Sequence, residues 1–343
     1  MNKFKILFLT CLFSLGIFTS VFGQLTIKGK VLQQNSNTPI PYTNIGVLNS
    51  YFGTISNSDG SFSIKIPASH LEETLLFSAI GYKKKSIDVN SFTSDKEIII
   101  YLIEKEIVLD EVVIFASGKK IKEKQAWLGH GKKHLLVQGQ MNMDTASAGG
   151  AMALLIEKKD NIDLKFLDKA LLYITRNTEP EFKVRVRFLR VDNANNNLPG
   201  DDLINESIVI ASDINRGWLS FDLSSYDLLI EEESFFLVFE WILEDKDRLR
   251  MYNTVAEYGE LNPDKIIRDS IIIDGKKVPT QQFSSSAPIP IIAFGDTRSK
   301  SDFKNYKCYS RSNSFGKWET ASGIISAKIL MRNQPLKNLS LKI

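Results

Sequence analysis

The chain has 343 residues, 43% hydrophobic and 24% charged, with a formal net charge of +3, two cysteines and three histidines. At roughly 150 residues per domain, that length predicts two domains, each large enough to bury a core. The composition excludes the disordered, collagen-like and disulfide-scaffold classes, and so few histidines limit histidine-based catalysis or metal binding.

Residues 1–23 have the anatomy of a secretory signal peptide. Lys3 and Lys5 precede an apolar run from Ile6 to Phe18, and the small or aliphatic pair Val21 and Gly23 flanks a cleavage point before Gln24. The run is short for a transmembrane span, and Cys11 lies inside it, not after a small-residue box as a lipoprotein requires. Cleavage would remove both lysines and Cys11, leaving a near-neutral chain whose one thiol is Cys308. An internal disulfide is then impossible, and stability must come from packed cores. No later stretch reaches the roughly 18 apolar residues of a membrane-crossing helix, and a near-neutral charge gives no reason to expect a nucleic-acid partner.

From residue 24 to 104 the pattern is that of a small β-sandwich. Leu25, Ile27, Gly29 and Val31 alternate with Thr26, Lys28, Lys30 and Leu32, as a half-buried strand does. Asn35 to Pro39 is turn chemistry. Short strands are predicted at Asn44 to Leu48 and Phe52 to Ser56, then a tight turn at Asn57-Ser58-Asp59-Gly60. Further strands are predicted at Ser61 to Ile66, ended by Pro67, and at Leu75 to Ser78, Lys83 to Val89 and Glu97 to Leu102.

These residues carry a resemblance. Gly29-Lys30-Val31, Pro41-Tyr42-Thr43-Asn44-Ile45, Gly53 to Phe62 and Ile80-Gly81-Tyr82 follow in the order seen in the carboxypeptidase-regulatory-like domain. That is a transthyretin-like sandwich common at the N-terminus of exported Gram-negative proteins. The resemblance implies a fold and an exported location (periplasm, outer membrane or cell surface), and a module without chemistry of its own. Leu109-Asp110-Glu111-Val112-Val113-Ile114 is similar to the stretch that follows this domain in TonB-dependent outer-membrane receptors. The remaining chain is too short for a plug and a large barrel, and it lacks the alternation of membrane-barrel strands.

Residues 105–135 read as a lysine-rich linker: Lys119, Lys120, Lys122, Lys124, Lys132 and Lys133 face one acid, Glu123, between Ser117 and His134. A patch for anionic lipid or nucleic acid and a solvated connector both fit; the connector is preferred because only Trp127 interleaves the charges. Residues 136–343 read as a larger, jelly-roll-like sandwich. Phe182, Val184, Val186 and Phe188 alternate with Lys183, Arg185, Arg187 and Leu189, giving one apolar and one mostly cationic face. Phe235 to Ile242 is apolar on both faces, as in the middle of a sheet. Strands are also expected at Ser207 to Ser212, Gly217 to Leu223, Ile271 to Ile273, Ile289 to Phe294 and Ser326 to Met331, with a short helix near Leu164 to Leu171. The order of an Arg-rich strand, an Asp/Asn loop ending in Leu198-Pro199-Gly200-Asp201-Asp202-Leu203, and an aromatic strand resembles exported jelly-roll domains, many of which bind carbohydrate or stabilise a larger envelope protein. The expected fold class is therefore all-β, a small transthyretin/Ig-like sandwich followed by a larger jelly-roll-like one.

Candidate sites divide by chemistry. His70-Leu71-Glu72-Glu73 has the spacing of two zinc-peptidase ligands, but lies in a loop of the small domain without a third ligand. His130 and His134 would share a helix face only where Gly129 and Gly131 discourage a helix. No nucleophile elbow or phosphate loop occurs. Asp192, Asn195, Asn197, Asp201 and Asp202 form the densest set of oxygen ligands and are the candidates for a structural calcium, against the alternative of a polar hairpin loop. Trp318, Tyr309 and Trp218 are the candidates for stacking on a sugar, with Trp318 expected to be the most exposed tryptophan and Trp241 expected in the core. The leading expectation is a non-enzymatic envelope protein whose second domain binds a glycan or a protein. The alternative is an accessory of a TonB-dependent uptake or adhesion system acting through protein contacts. A metallopeptidase or glycosidase ranks third, because two carboxyls would have to flank a cleft and the sequence gives neither Glu240 nor Glu244 such a partner.

Overall fold

The computed structural model describes residues 24–93, 96–106, 122–132, 136–138, 148–158, 163–273, 276–283, 292–297 and 299–335. The signal segment, the Leu109 to Ile114 motif, His134 and Lys119, Lys120 and Lys133 of the lysine cluster lie outside the described residues.

The first sandwich follows the predicted strands closely. It comprises β1 (Gln24–Gln33), β2 (Asn44–Val47), β3 (Gly53–Ile55), β4 (Ser61–Pro67), β5 (Thr74–Ser78), β6 (Lys85–Asp88) and β7 (Ile98–Leu102). One sheet has the order β4-β1-β7 and the other β3-β2-β5-β6; β1 and β7 are parallel, and the remaining pairs are antiparallel. Ile27, Val31, Ile45, Phe62, Ile64, Leu75, Phe77 and Ile100 fill the space between them. The Asn57–Gly60 turn works because Gly60 takes φ +79°, where a side chain would be strained.

Gly29 has a different reason to be glycine. It pairs with Ile98 across β1 and β7, and a Cβ there would sit 2.3 Å from the Ile98 carbonyl oxygen. Gly29→Ala must therefore part the parallel pair, and we expect a loss of about 1–3 kcal/mol, read as a lower urea midpoint. An unchanged midpoint would show that β7 does not lie against β1 here.

The second sandwich contains β8 (Gln125–His130), β9 (Leu136–Gln138), β10 (Ala151–Glu157), β11 (Phe166–Asn177), β12 (Phe182–Asp192), β13 (Leu198–Asp202), β14 (Ile208–Ser212), β15 (Gly217–Asp222) and β16 (Ser234–Ile242). After the helix α1 (Asp245–Leu261) come β17 (Ile266–Ile273), β18 (Lys276–Phe283), β19 (Ile292–Thr297), the short helix α2 (Lys300–Asn305), β20 (Cys308–Arg311), β21 (Glu319–Thr320), β22 (Ile324–Ile325) and β23 (Ala327–Arg332). Strands β10, β12, β16 and β20 share one sheet, while β11, β15, β19 and β23 share the other. The chain thus passes between layers in jelly-roll fashion. Between the layers lie Leu154, Leu172, Val186, Phe188, Phe221, Phe235, Phe239, Phe294 and Ile329. The apolar β16 sits between β12 and β10, and Trp241 is 6% exposed and stacked on Phe294 at 4.2 Å. Both expectations hold.

Three expectations need correction. Gln125–His130, placed in the linker, is strand β8, which pairs with β23 and buries Leu128 and His130. The segment near Leu164 to Leu171 belongs to strand β11, not to a helix, because its alternate residues Leu167 and Leu172 enter the core. Helix α1 was not anticipated: its buried residues are Asp247, Arg248, Met251 and Gly259, so it has no apolar stripe to announce it.

The first sandwich docks on the outer face of the β12-β16-β10-β20 sheet. Asn57 and Asp245 exchange two hydrogen bonds, of 3.0 and 2.9 Å; Arg248 donates to the Thr54 hydroxyl at 2.8 Å; and the Ser314 hydroxyl donates to Asn44 at 3.0 Å. Ile55, Ala148 and Ile242 add a small apolar contact, flanked by Tyr42 and Val209. This docking creates the site.

Candidate functional site

Strand register builds a charged row beneath the docked domain. Arg185 on β12 stands opposite Glu240 on β16, Glu240 opposite Ala151 on β10, and Ala151 opposite Arg311 on β20. The methyl side chain of Ala151 leaves room for Arg311 to reach past it, and Arg311 Nη2 donates to Glu240 at 2.9 Å. Arg185 and Arg187 donate to the other Glu240 oxygen at 3.2 and 3.4 Å, and Arg187 grips Asp202 with two bonds of 2.9 Å. Arg185 also donates to the backbone carbonyl of Tyr42, tying the row to the first domain.

Water is excluded from most of this row: Arg185 is 1% and Glu240 0% exposed. Burial alone would raise the Glu240 carboxyl pKa, but the charges of Arg187, Arg185 and Arg311 outweigh it and hold it below the ordinary value. Burial pushes the Arg311 guanidinium down to about 10, still cationic at neutral pH, and Glu240 opposes the shift. Among the described residues, Nε of Arg185 and Nε of Arg311 have no hydrogen-bond partner. The cationic face of β12, which alternation alone assigns to the less buried side, is thus sealed by a second domain.

At the edge of this seam the two domains wall a cleft of about 720 Å³, within the size range of small-ligand sites. Leu48, Asn49 and Lys84 come from the first sandwich, the segment from Arg190 to Asp201 from the β12–β13 hairpin, and Arg311 with Phe315 to Trp318 from the β20–β21 connection. The hairpin turns because Asn196 and Asn197 adopt φ of 53° and 57°, left-handed values that asparagine tolerates. Trp318 is half-buried, and the Arg311 guanidinium lies over its ring at 4.9 Å.

The cleft gathers several of the sequence candidates. Trp318, Asp192, Asn195 and Asp201 all line it. Others are elsewhere. Asp202 is committed to Arg187, and Asp201 pairs with Lys84 at 2.7 Å, so neither offers an idle oxygen set. Asp192 accepts a hydrogen bond from the Ala194 backbone within its own turn. Among the described residues, no group of three or more His, Cys, Asp or Glu side chains is arranged to hold a metal ion. Tyr309 packs edge-on against Phe236 and does not line the cleft.

Trp218 sits on the opposite sheet beside Tyr173, where Lys328 lies over both its ring and that of Trp127. The three stacking candidates therefore do not share one platform. Trp127, at 44% exposure, is more open than Trp318, because β8 lies at the sheet edge. His70 packs against Phe52 and lies 3.9 Å from Glu73. Cys308 is buried. Glu240 and Glu244 are both held ionised, Glu244 down at about 2, whereas a glycosidase acid needs a raised pKa.

Residues 27–114 match the family model of the CarboxypepD_reg-like domain. The first sandwich is therefore a regulatory-like domain, of a non-catalytic type found in exported bacterial proteins. No curated protein matches the chain. Among solved structures, the cysteine protease and lectin-like domains of Cwp84, a surface layer associated protein of Clostridium difficile, are similar over 90% of this chain and 63% of that one. The identity is 9% and the TM-score 0.30, a likeness that carries no argument about activity or ligand. Among the described residues, no helix is long and apolar enough to cross a membrane.

Proposed function

We propose that this chain is a non-enzymatic, exported binding protein of the bacterial envelope that takes a saccharide in the cleft between its two domains. The observation that carries this reading is the convergence of Trp318 with amide and charged side chains of both domains on one cavity. An indole face covers the apolar face of a pyranose ring, and amides and charged groups around it meet the hydroxyls. Export is supported by residues 1–23 and by the regulatory-like domain type. A binding role is favoured over catalysis because the two carboxyls best placed in the sequence are spent on cations and on domain docking.

The test is calorimetric titration of the intact protein with a panel of neutral and acidic oligosaccharides. Trp318→Ala is expected to weaken the bound member by about tenfold, equivalent to roughly 1.4 kcal/mol. Its thermal midpoint would be measured in parallel, since Trp318 also packs on the cluster around Phe236. Normal affinity in a folded Trp318→Ala variant would move the site out of this cleft.

A further inference from the structure

We infer that the saccharide is an acidic one, its carboxylate or sulfate group held beside Arg311 and Lys317; this rests on the saccharide reading above. Three observations point the same way. Arg311 is nine-tenths buried and lines the cleft, and among the described residues its Nε–H has no acceptor. That nitrogen is sealed from solvent, so an anion in the cleft would meet Arg311 through the charge of its guanidinium, which it shares with Glu240. The row behind it is also unbalanced, with Arg185, Arg187 and Arg311 sharing the two carboxylates of Glu240 and Asp202.

The third observation concerns the rim. Lys84, Arg190, Arg311 and Lys317 line the cleft against Asp192 and Asp201, four cations to two acids. Lys317 is exposed and makes no ion pair among the described residues. Counted over the lining side chains, the cavity wall is net positive. A neutral sugar leaves that imbalance in place, whereas an anion offsets it in surroundings where charge interactions are stronger than in water. Because Arg311 lies over Trp318, the anionic group and the ring that bears it would find neighbouring places.

The experiment titrates the intact protein with three matched probes: tetragalactose, tetragalacturonate and a sulfated tetragalactose. The acidic probes are expected to bind at least about tenfold tighter than the neutral one, with the advantage shrinking as salt rises from about 0.05 to 0.5 M. Lys317→Gln, an exposed substitution, is expected to weaken the acidic probes several-fold more than it weakens tetragalactose. Preference for the galacturonate assigns a carboxylate, preference for the sulfated probe assigns a sulfate, and either supports the inference. Equal affinity for all three would overturn it while leaving the saccharide reading intact. Binding of none of them would overturn both.

Discussion

Glu240→Gln is expected to lower folding stability by about 3–5 kcal/mol, the range for removing one member of a buried ion pair. Glutamine keeps the shape and one acceptor oxygen, so packing around position 240 stays nearly constant. What disappears is the charge that Arg185, Arg187 and Arg311 share at 3.2, 3.4 and 2.9 Å. Arg185 then has only the Tyr42 carbonyl, and Arg187 only Asp202. Arg185 and Arg311, buried and left without a counter-ion, cannot be rehydrated while the first domain stays docked. The loss should therefore appear both as a lower urea midpoint at neutral pH and as faster proteolysis between the domains. A variant with the wild-type midpoint would mean that water reaches this face and that the regulatory-like domain does not cover it.

The second large effect is acid sensitivity at Glu244. Its carboxylate accepts a 2.7 Å hydrogen bond from the Ser58 backbone N–H of the first domain and a 2.8 Å bond from Lys183. Burial works to raise this carboxyl, but the Lys183 and Ser58 hydrogen bonds prevail and bring it from an ordinary 4.5 to about 2. Since the folded value is the depressed one, the stabilisation is complete above about pH 4.5 and is lost as pH falls towards 2. A shift of that size corresponds to something on the order of 3 kcal/mol. Wild type and Glu244→Gln should thus differ by about that much in urea denaturation at pH 7 and converge near pH 2. A difference that stays constant across that range would place the effect of position 244 in packing, not in charge.

Most of the first domain is legible in the sequence because its signals are local. Alternation marks β1 and β4, and the Asn57–Gly60 turn needs only one residue at positive φ. The unbroken apolar run of β16 likewise announces a central strand without reference to anything distant. What escapes a local reading is the second domain's outer face. Arg185 and Arg187 alternate with Val184 and Val186 as they would on any half-wet strand, and nothing nearby says that another domain covers them. Helix α1 escapes for a related reason: Asp245 and Arg248 on it serve the docked domain through Asn57 and Thr54, so its inner face is polar. The candidate site shows the same division. Trp318 and the Asp192 hairpin are visible as isolated groups, but Arg311 is not, since its role depends on register with Ala151 one strand away and Glu240 two strands away.

Because Asn49 and Lys84 stand on one wall of the cleft and Arg311 and Trp318 on the other, an occupant that touches both walls fits only the closed arrangement. Occupancy and domain closure then become linked equilibria, each favouring the other by the same factor. A ligand at a hundred times its Kd would hold the seam shut by about 2.7 kcal/mol, comparable to the Glu244 contact. The regulatory-like domain, inert by itself, would in this way report the filled cleft to whatever its own outer surface touches.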